Sequence, residues 1–316
     1  MPRVFTVFMT FQQIKYAICI AQEGKISLAA KKLFVSQPSL TQAVRELEEE
    51  LGITIFNRTN RGVELTPEGE EFLSYARQVS EQMNLLEEKY KGAKRRKRNF
   101  CVSCQHYSFA VDAFISLIRE AGADEYDFRL RETQTYEIIE DVASLRSQVG
   151  VLYLNDFNRA VILKVLKEND LKFTPVITAL PHVFVAKGHP LTQKKSVSID
   201  DLAPYPCLTF EQGEHNSFYF AEEILSVRYS AKNIRVRDRA TLFNCLVGLE
   251  GYTISSGIIN GELNWNNIVA IPLDVDDYME IGYVTHNKTV LSALSERYIE
   301  LLTQQAVSGR MNADKK

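Results

Sequence analysis

Short polar side chains are concentrated on one side of a helix-like stretch near the N-terminus of the 316-residue chain. The stretch covers residues 36–52 and begins Ser36-Gln37-Pro38-Ser39. Ser36 is placed to cap the helix, and Pro38 lies in the first turn, where a missing N–H leaves nothing unpaired. Amides, hydroxyls and guanidinium groups hydrogen-bond base edges and phosphates in a DNA major groove. The candidate DNA contacts are Gln37, Ser39, Thr41, Gln42 and Arg45, with Ser27, Ser36 and Pro38 beside them.

The other side of the same stretch is apolar. Val44, Leu47 and Leu51 recur at spacings of three and four, which is typical of a helix with one buried face. A shorter apolar helix precedes it and contributes Ala29 and Ala30. The pattern predicts two helices joined by a tight turn, although an ordinary helical hairpin in a bundle would have the same pattern.

A small β-wing is predicted behind these helices, over residues 53–66. Apolar residues lead into an Asn-Arg-Gly turn at 60–62, whose residue types tolerate positive φ, and alternation resumes after it. An arginine on such a wing can reach a phosphate or the adjacent minor groove. Arg58 and Arg61 are therefore further DNA-contact candidates, although a solvated turn would explain Arg61 equally well.

A long helix with an apolar seam follows the wing. Thr66 is placed to cap it, and Pro67 lies in its first turn. Apolar residues then recur at alternating spacings of four and three, as in a coiled coil. A second copy of the helix is the simplest partner, and packing against the chain's own body is the alternative. The predicted dimerisation seam consists of Phe72, Ala76, Val79, Met83, Leu86 and Tyr90.

Charge is distributed unevenly along the chain. Residues 1–98 contain 16 lysines and arginines against 12 acidic residues, whereas the whole chain contains 37 against 40. A basic N-terminal part on an acidic remainder indicates a partner that is polyanionic at one end. Five consecutive cations at 94–98 mark a domain boundary, where a solvated linker can attract phosphates without specifying sequence.

Composition narrows the class of protein. Five scattered cysteines argue against a disulfide framework and for a reducing compartment. We find no apolar run long enough for a bilayer, and the opening segment is not a signal peptide. We therefore expect a cytoplasmic location and no membrane partner. Met9 is the expected natural start, with residues 1–8 an upstream extension.

From residue 100 onward the pattern alternates between strands and helices. Such alternation predicts an α/β body with largely parallel sheets, divided into two lobes. A single strand is predicted over 177–186 and a helix over 218–226. Ligands in open α/β sheets bind outside the carboxyl ends of the strands, so the cleft between the lobes is the expected site.

The N-terminal 90 residues resemble the winged helix-turn-helix of LysR-type transcriptional regulators. The body matches more loosely, through the order of its elements and His189-Pro190-Leu191. The matching N-terminal elements are Gly24, Ser27-Leu28-Ala29-Ala30, Leu33, Val35-Ser36-Gln37-Pro38-Ser39-Leu40-Thr41, Leu47-Glu48, Leu51-Gly52, Ile55-Phe56-Asn57-Arg58 and Leu65-Thr66-Pro67-Glu68-Gly69.

This resemblance implies an α/β architecture with an N-terminal winged helix-turn-helix and a linker helix, followed by a two-lobed periplasmic-binding-protein-like effector domain. It also implies a homodimer or homotetramer that binds double-stranded operator DNA, responds to a small effector and contacts RNA polymerase when it activates. No cofactor is implied. The expected boundaries are 9–66 for the DNA-binding domain, 67–92 for the dimerisation helix, 93–99 for a basic hinge and 100–308 for the effector domain.

If the body has that fold, loops at the strand ends line the effector site. Their hydroxyls, amides and one arginine would suit a small anionic molecule. Cys104 stands where many members carry Ser or Thr, which puts the usual effector hydrogen bond there in doubt. The candidate effector residues are Ser103, Cys104, Gln105, Thr133, Gln134, Thr209, Glu211, Arg239 and Thr241.

Two alternatives remain at this point. Cys101 and Cys104 lie three apart on a strand, which points their thiols to opposite faces and disfavours a metal site. A redox sensor using Cys104 is nevertheless kept as an alternative. We find no nucleophile elbow, P-loop, dinucleotide fingerprint or zinc-protease motif, so catalysis is not predicted. A solute-binding or enzymatic α/β protein with an incidental helical N-terminus is the second alternative.

Overall fold

The computed structural model describes residues 9–59, 62–91, 98–122, 125–215, 217–228, 230–259 and 267–313. Residues 1–8, Arg61 and most of the expected basic hinge lie outside these ranges. The chain divides into two compact units, Met1–Lys94 and Arg95–Lys316, and each is described by itself.

The N-terminal unit is a winged three-helix domain that continues into a long helix. One apolar core joins its elements, because Leu40 and Leu47 of the third helix are fully buried together with Ile20, Ile55 and Leu73. The elements are α1 (Phe11–Glu23), α2 (Ile26–Lys32), α3 (Gln37–Leu51), β1 (Phe56–Thr59), β2 (Gly62–Leu65) and α4 (Pro67–Lys91).

Local hydrogen bonds fix where the two functional helices begin. Ser36 Oγ accepts a hydrogen bond from the Ser39 N–H at 3.2 Å, at the start of α3. Thr66 Oγ1 accepts one from the Gly69 N–H at 2.8 Å, at the start of α4. Each bond satisfies a backbone donor that a helix end leaves free. The capping predictions for Ser36 and Thr66 are confirmed.

The C-terminal unit is an α/β structure of two lobes. Short 3₁₀ helices lie at Pro190–Gln193, Asp200–Leu202, Gly213–His215 and Phe218–Phe220. The other elements are β3 (Arg98–Cys104), α5 (Ser108–Ala121), β4 (Tyr126–Glu132), α6 (Thr135–Ala143), β5 (Val149–Leu154), α7 (Arg159–Glu168), β6 (Leu171–Ala179), β7 (His182–Ala186), β8 (Cys207–Phe210), β9 (Asn233–Val236), α8 (Arg239–Leu249), β10 (Thr253–Ser255), β11 (Ile268–Pro272), β12 (Met279–His286) and α9 (Ala293–Ala313).

Each lobe is built on its own sheet. The first lobe has the strand order β4-β3-β5-β12-β6, and the second has β10-β7-β11 with β8-β9. A single bridge between Cys207 and Tyr252 joins the two parts of the second lobe. The loops after β3 and β4 leave the same edge of the first sheet, because these two strands are parallel. Those loops form one wall of the cleft.

The prediction of largely parallel sheets is wrong. Strand β12 runs antiparallel to both β5 and β6, and β7 runs antiparallel to both β10 and β11. A parallel pair needs a long crossover, usually a helix. The chain instead changes lobe through short connections, after β6 and before β12, and these bring strands back in the opposite direction.

Two element boundaries also differ from expectation. The strand predicted over 177–186 is interrupted at Leu180-Pro181, because β6 pairs in the first lobe and β7 in the second. Residues 218–226 form a 3₁₀ helix followed by turns rather than one helix. In this segment the carboxyl groups of Glu222 and Glu223 are buried, and they accept hydrogen bonds from the backbone N–H groups of His106 and Phe210 respectively.

The start of α4 crosses closely over the backbone of Ile55, the residue before β1. A Cβ at Gly69 would lie 2.2 Å from the Ile55 carbonyl oxygen, so backbone would have to move. We expect Gly69→Ala to lower the free energy of unfolding by about 1–3 kcal/mol, as overpacking does. Thermal unfolding of the full chain tests this. Gly188→Ala is the control, since no atom lies within 4 Å of a Cβ there. Equal stability of the two variants would contradict the predicted contact.

Candidate nucleic-acid interface and inter-lobe cleft

One face of α3 is polar and exposed along its whole length. The residues on the opposite face, Leu40, Val44 and Leu47, are buried in the domain core, which holds the helix in place. Thr41 is half-buried at the border between the two faces. The exposed candidates are Gln37, Ser39, Gln42 and Arg45, with Ser27, Ser36 and Pro38 exposed beside them.

Two of these side chains are held along the helix surface by carboxylates one turn later. Arg45 Nε donates to Glu49 Oε1 at 2.7 Å, and Gln42 Nε2 donates to Glu46 Oε1 at 2.9 Å. Exposed pairs of this kind contribute little to stability, so a nucleic acid can replace them at low cost. Both donors are therefore available to a partner.

Glu48 connects the wing to α3. Its Oε1 accepts hydrogen bonds from the N–H groups of Ile55 and Phe56, at 2.7 and 3.0 Å. These bonds fix the start of β1, which carries the exposed Arg58. Sequence reasoning placed Glu48 in a motif without giving it a role, because its partners are backbone groups that residue spacing does not reveal. Arg61 lies outside the described residues.

The apolar seam of α4 divides into two parts. Phe72 and Ala76 pack into the core of the winged domain, so their partner is the chain's own domain. This corrects the expectation for Ala76, which is buried and not free for a second copy. Val79 and Leu86 are 49% and 53% exposed. Met83 is half-buried and Tyr90 is exposed. The exposed part of the seam therefore begins at Val79.

Two of the predicted effector residues belong to the interior of the first lobe. Ser103 is fully buried, and its Oγ donates to Asp141 Oδ2 at 2.6 Å. Cys104 is fully buried in the core on the other side of β3. Burial raises the pKa of the Cys104 thiol well above its usual value. The prediction that both are loop residues facing the cleft is wrong, because β3 continues through Cys104.

Gln105, the next residue, is also buried, and its side chain hydrogen-bonds to two other elements of the first lobe. Its Nε2 donates to Thr135 Oγ1 at 2.6 Å, and its Oε1 accepts from the Tyr153 N–H at 3.0 Å. It therefore links the loop after β3 to α6 and β5. Thr133 Oγ1 donates to Glu137, and Gln134 is the N-cap residue immediately before α6.

The predicted residues of the second lobe lie in different surroundings. Glu211 is paired with Arg237 at 2.9 Å on an exposed surface. Thr241 is exposed, and its N–H donates to Asp238. Thr209 lines a separate cavity of about 250 Å³ within this lobe. Arg239 is the one predicted effector residue, among those the structure describes, that lines the cavity between the lobes.

His106 contacts two residues of the second lobe across the cleft. Its ring stacks on Phe210 of the second lobe, with centroids 3.7 Å apart and planes at 4°. Glu222 Oε2 lies 2.8 Å from His106 Nδ1 and accepts the His106 backbone N–H at 3.1 Å. The two side chains are only 4% and 5% exposed. Burial alone would lower the pKa of His106, but the Glu222 carboxylate overcomes this effect and raises it.

Two further carboxyl groups lie in this region. Glu132 ends β4 in the first lobe, and its Oε1 is 3.2 Å from Nη2 of Arg239 at the start of α8. Burial raises the pKa of Glu132, although Arg239 opposes the shift. Burial and the neighbouring Glu222 raise the pKa of Glu223 well above its usual value.

Side chains of the second lobe also contact the beginning of α6, as they contact His106 in the loop after β3. The Thr135 N–H donates to Gln212 Oε1 at 3.2 Å, and the Tyr136 ring stacks on His215 at 3.5 Å. The cavity lined by His106, Phe210 and Glu222 has a volume of about 30 Å³, which is room for about two water molecules. Side chains of the second lobe thus hold the cleft nearly closed.

Sequence reasoning missed these cleft residues. His106 is not among the predicted effector residues, and its partner Glu222 lies 116 positions away along the chain. Glu222 falls in a stretch predicted to be an ordinary helix. The only hint in the sequence is that two acidic residues, Glu222 and Glu223, are adjacent, and the sequence does not show that they are buried.

Comparison with known proteins gives a consistent result. Residues 11–70 match the family model for the bacterial regulatory helix-turn-helix protein of the lysR family, and residues 121–307 match the LysR substrate binding domain. The chain is 27% identical over 252 residues to the transcriptional regulator AlsR of Bacillus subtilis, covering 79% of this chain and 78% of AlsR. It is 48% identical over 71 residues to ClcR of Pseudomonas putida, covering 22% and 24% of the two chains.

Solved structures share the fold. A full-length OxyR variant from Pseudomonas aeruginosa aligns with a TM-score of 0.68 and 21% identity, covering 95% of each chain. Full-length CbnR in complex with its target DNA aligns with a TM-score of 0.56 and 20% identity, covering 94% of this chain and all of CbnR. In the part of the chain that the structure describes, no helix has both the length and the apolar character to cross a bilayer.

The contact between His106 and Glu222 predicts a pH-dependent stability. Because the pKa of folded His106 is raised, its stabilising contribution is complete below about pH 6.5 and is lost as the pH rises through the folded pKa. We expect Glu222→Gln to lower the melting temperature most near pH 6 and less at higher pH. A melting series from pH 6 to 9 measures this. Glu168→Gln, on the exposed surface of α7, is the control. A deficit that stays constant with pH would contradict the assignment.

Proposed function

The chain belongs to the LysR family of bacterial transcriptional regulators, and we propose here which of its residues perform each part of that function. It has the family's DNA-binding and effector-binding domains. We propose 9–66 as the DNA-binding domain, 67–92 as the dimerisation helix, 93–99 as the hinge and 100–308 as the effector domain.

The exposed polar face of α3 is the observation that carries the proposed DNA contacts. Helix α3 enters the major groove, where Gln37, Gln42 and Arg45 contact base edges. Arg58 and Arg61 on the wing contact phosphates or the minor groove. The remaining contacts, from hydroxyl groups and the start of the helix, are made by Ser27, Ser36, Pro38, Ser39 and Thr41.

Dimerisation places two such domains on one operator. The exposed part of the α4 seam, from Val79 to Tyr90, packs against the same segment of a second copy. A symmetric dimer reads half-sites separated by about 34 Å or a multiple of that distance. A pair of dimers gives the tetramer, and RNA polymerase is a further partner when the protein activates transcription.

A small molecule in the inter-lobe cleft sets the activity of the regulator. The cleft lies at the carboxyl ends of β3 and β4, where open α/β sheets bind ligands. Binding there changes the angle between the lobes and so the spacing of the DNA-binding domains. We propose that the protein acts in the cytoplasm and has no catalytic activity of its own.

Redox sensing through Cys104 has no support from the geometry. A reactive thiol is exposed and has a depressed pKa, whereas Cys104 is fully buried and its pKa is raised. We expect Cys104→Ser to leave DNA binding insensitive to peroxide, as in the parent protein.

Replacing a base contact tests the DNA-reading surface. We expect Gln37→Ala or Arg45→Ala to weaken binding to the DNA upstream of the gene by about 1–3 kcal/mol and to relax specificity at one position. Mobility shifts at several salt concentrations measure both effects. Glu49→Gln is the matched control, because it removes the negative charge that pairs with Arg45 and keeps the arginine. Unchanged affinity in both alanine variants would exclude α3 as the reading element.

Charge placed on the exposed seam tests dimerisation. We expect Val79→Glu with Leu86→Glu to produce a monomer, because two like charges per helix would face each other in a dry interface. Light scattering across a concentration series gives the mass. Asn84→Glu, on the other side of α4, is expected to leave the dimer intact. A dimer that survives the double substitution would place the interface elsewhere.

A further inference from the structure

The positions in the cleft that suit an anion are already filled by the chain itself. The N–H of His106, just before α5, and the N–H of Thr135, at the start of α6, point to where an anionic ligand would bind. Glu222 Oε2 accepts the first at 3.1 Å, and Gln212 Oε1 accepts the second at 3.2 Å. The second lobe therefore supplies its own carboxylate where an anionic effector would otherwise lie.

The charged groups around the cavity also disfavour an anion. Glu132, Glu222 and Glu223 contribute three carboxyl groups, against the cations Arg239 and protonated His106. Arg239 is engaged by Glu132 at 3.2 Å, and His106 by Glu222 at 2.8 Å. Each described cation facing this cavity thus has an acidic partner. An anion entering here would meet carboxylates before it met an available positive charge.

Two buried atoms in this region lack hydrogen-bond partners in the described part of the chain. They are His106 Nε2 and Glu132 Oε1. The His106 side chain is 4% exposed and lines the cavity. Glu132 Oε1 is close to Arg239, but no donor is aligned with it. When Nδ1 donates to Glu222, Nε2 of neutral imidazole is an acceptor. His106 Nε2, whose ring lines the cavity, can therefore accept a hydrogen bond from a ligand there, and an unpaired buried acceptor is costly.

The size and the remaining walls of the cavity restrict the ligand further. A cavity of about 30 Å³ has room for about two water molecules, and therefore for a primary ammonium group. The rings of Phe184, Phe210 and Phe243 line the same space. Aromatic faces attract cations and repel anions. A larger cation, such as a guanidinium or quaternary ammonium, would need more room for its charged head.

We propose that the inter-lobe cleft selects a small molecule carrying a primary ammonium group, and that Glu222 is the residue that sets this selectivity. The inference rests on the proposed function, in which this cleft is the effector site. The ammonium donates to His106 Nε2, and the negative charge of Glu222 stabilises it. The body of the effector lies against the phenylalanine rings as the lobes separate to admit it. This charge preference is opposite to the anionic ligand that the loop residues alone suggest.

A matched pair of ligands tests the charge preference. Propylammonium chloride and sodium propionate have similar size and opposite charge. At equal ionic strength, we expect propylammonium to raise the melting temperature of the full chain and propionate to have no effect. Titration calorimetry on the same protein gives the affinities. A mobility shift with operator DNA, run on the same preparation, reports on the DNA-binding function separately.

Substitution of Glu222 reverses the expected preference. In Glu222→Ala, propylammonium should bind at least about tenfold more weakly, since a charged partner is lost. Propionate should now stabilise the protein, because its carboxylate can fill the vacated position beside His106. Glu222→Gln keeps the shape of the side chain and should lose ammonium binding without gaining propionate binding. The Glu222→Gln variant can be used for the test if the Glu222→Ala variant does not fold. Glu168→Ala, on the exposed surface of α7, should behave like the parent protein.

The pH dependence of binding is a second readout. Protonation turns His106 Nε2 from an acceptor into a donor and adds a positive charge, while Glu132 and Glu223 also become neutral at lower pH. Asp112, Asp238 and Arg239 are the other charged groups near this cavity. Propylammonium should therefore bind more weakly as the pH falls from 8 to 6.

Two outcomes would overturn the inference. Stabilisation of the parent protein by propionate and not by propylammonium would reverse the ligand class, while an effector-controlled regulator would still stand. No stabilisation by either salt, with operator binding intact, would remove the ammonium site and leave DNA binding unaffected. Loss of operator binding in the parent protein would instead count against the proposed function.

Discussion

The amphipathic character of α3 is the constraint on which the DNA-binding part of this protein depends. Leu40 and Leu47 are fully buried in the same core as Ile20 and Leu73. Burial of several aliphatic side chains contributes a few kcal/mol each, at about 25 cal/mol per Å² of apolar surface. The helix therefore cannot rotate without exposing this surface, and its polar face is held toward solvent.

The effector domain depends on a different kind of contact, made across the cleft by polar groups. A small number of side chains from the segment 210–223 close the site, and one of them, Glu222, forms a buried pair with His106. Breaking a buried charged pair leaves each partner unsatisfied, so opening is costly unless a ligand replaces the contact. In the proposed mechanism, the selectivity of the regulator arises because the cleft opens only for a ligand with the right donors.

Local signals in the sequence were sufficient for the N-terminal unit. The cap at Ser36, the polar and apolar faces of α3 and the wing all depend on residues that are close to one another in the sequence. The structure confirms these three features. The overall α/β class of the body and its family were also predicted correctly. Such features depend on hydrogen bonds and periodicities that adjacent residues determine.

Long-range pairing is where the sequence prediction failed. The strand predicted over 177–186 spans two lobes, because nothing local reports that Leu180-Pro181 changes sheet. Cys104 was placed in a loop, but β3 extends to it through pairing with β4. Glu222 meets His106 only because the second lobe folds over the first. The predicted contacts to DNA and to effector remain predictions, since they involve partners and not the chain alone.

Methylation interference on the operator tests the central claim most directly, because it probes guanine N7 in the major groove. The account predicts interference at two clusters of guanines, separated by about 34 Å or a multiple of it and related by two-fold symmetry. The Arg45→Ala substitution should remove interference at matching positions in both clusters, because arginine is the side chain that pairs with guanine N7 and O6. Binding without interference at any guanine in the major groove, or a pattern unchanged by that substitution, would contradict recognition by α3.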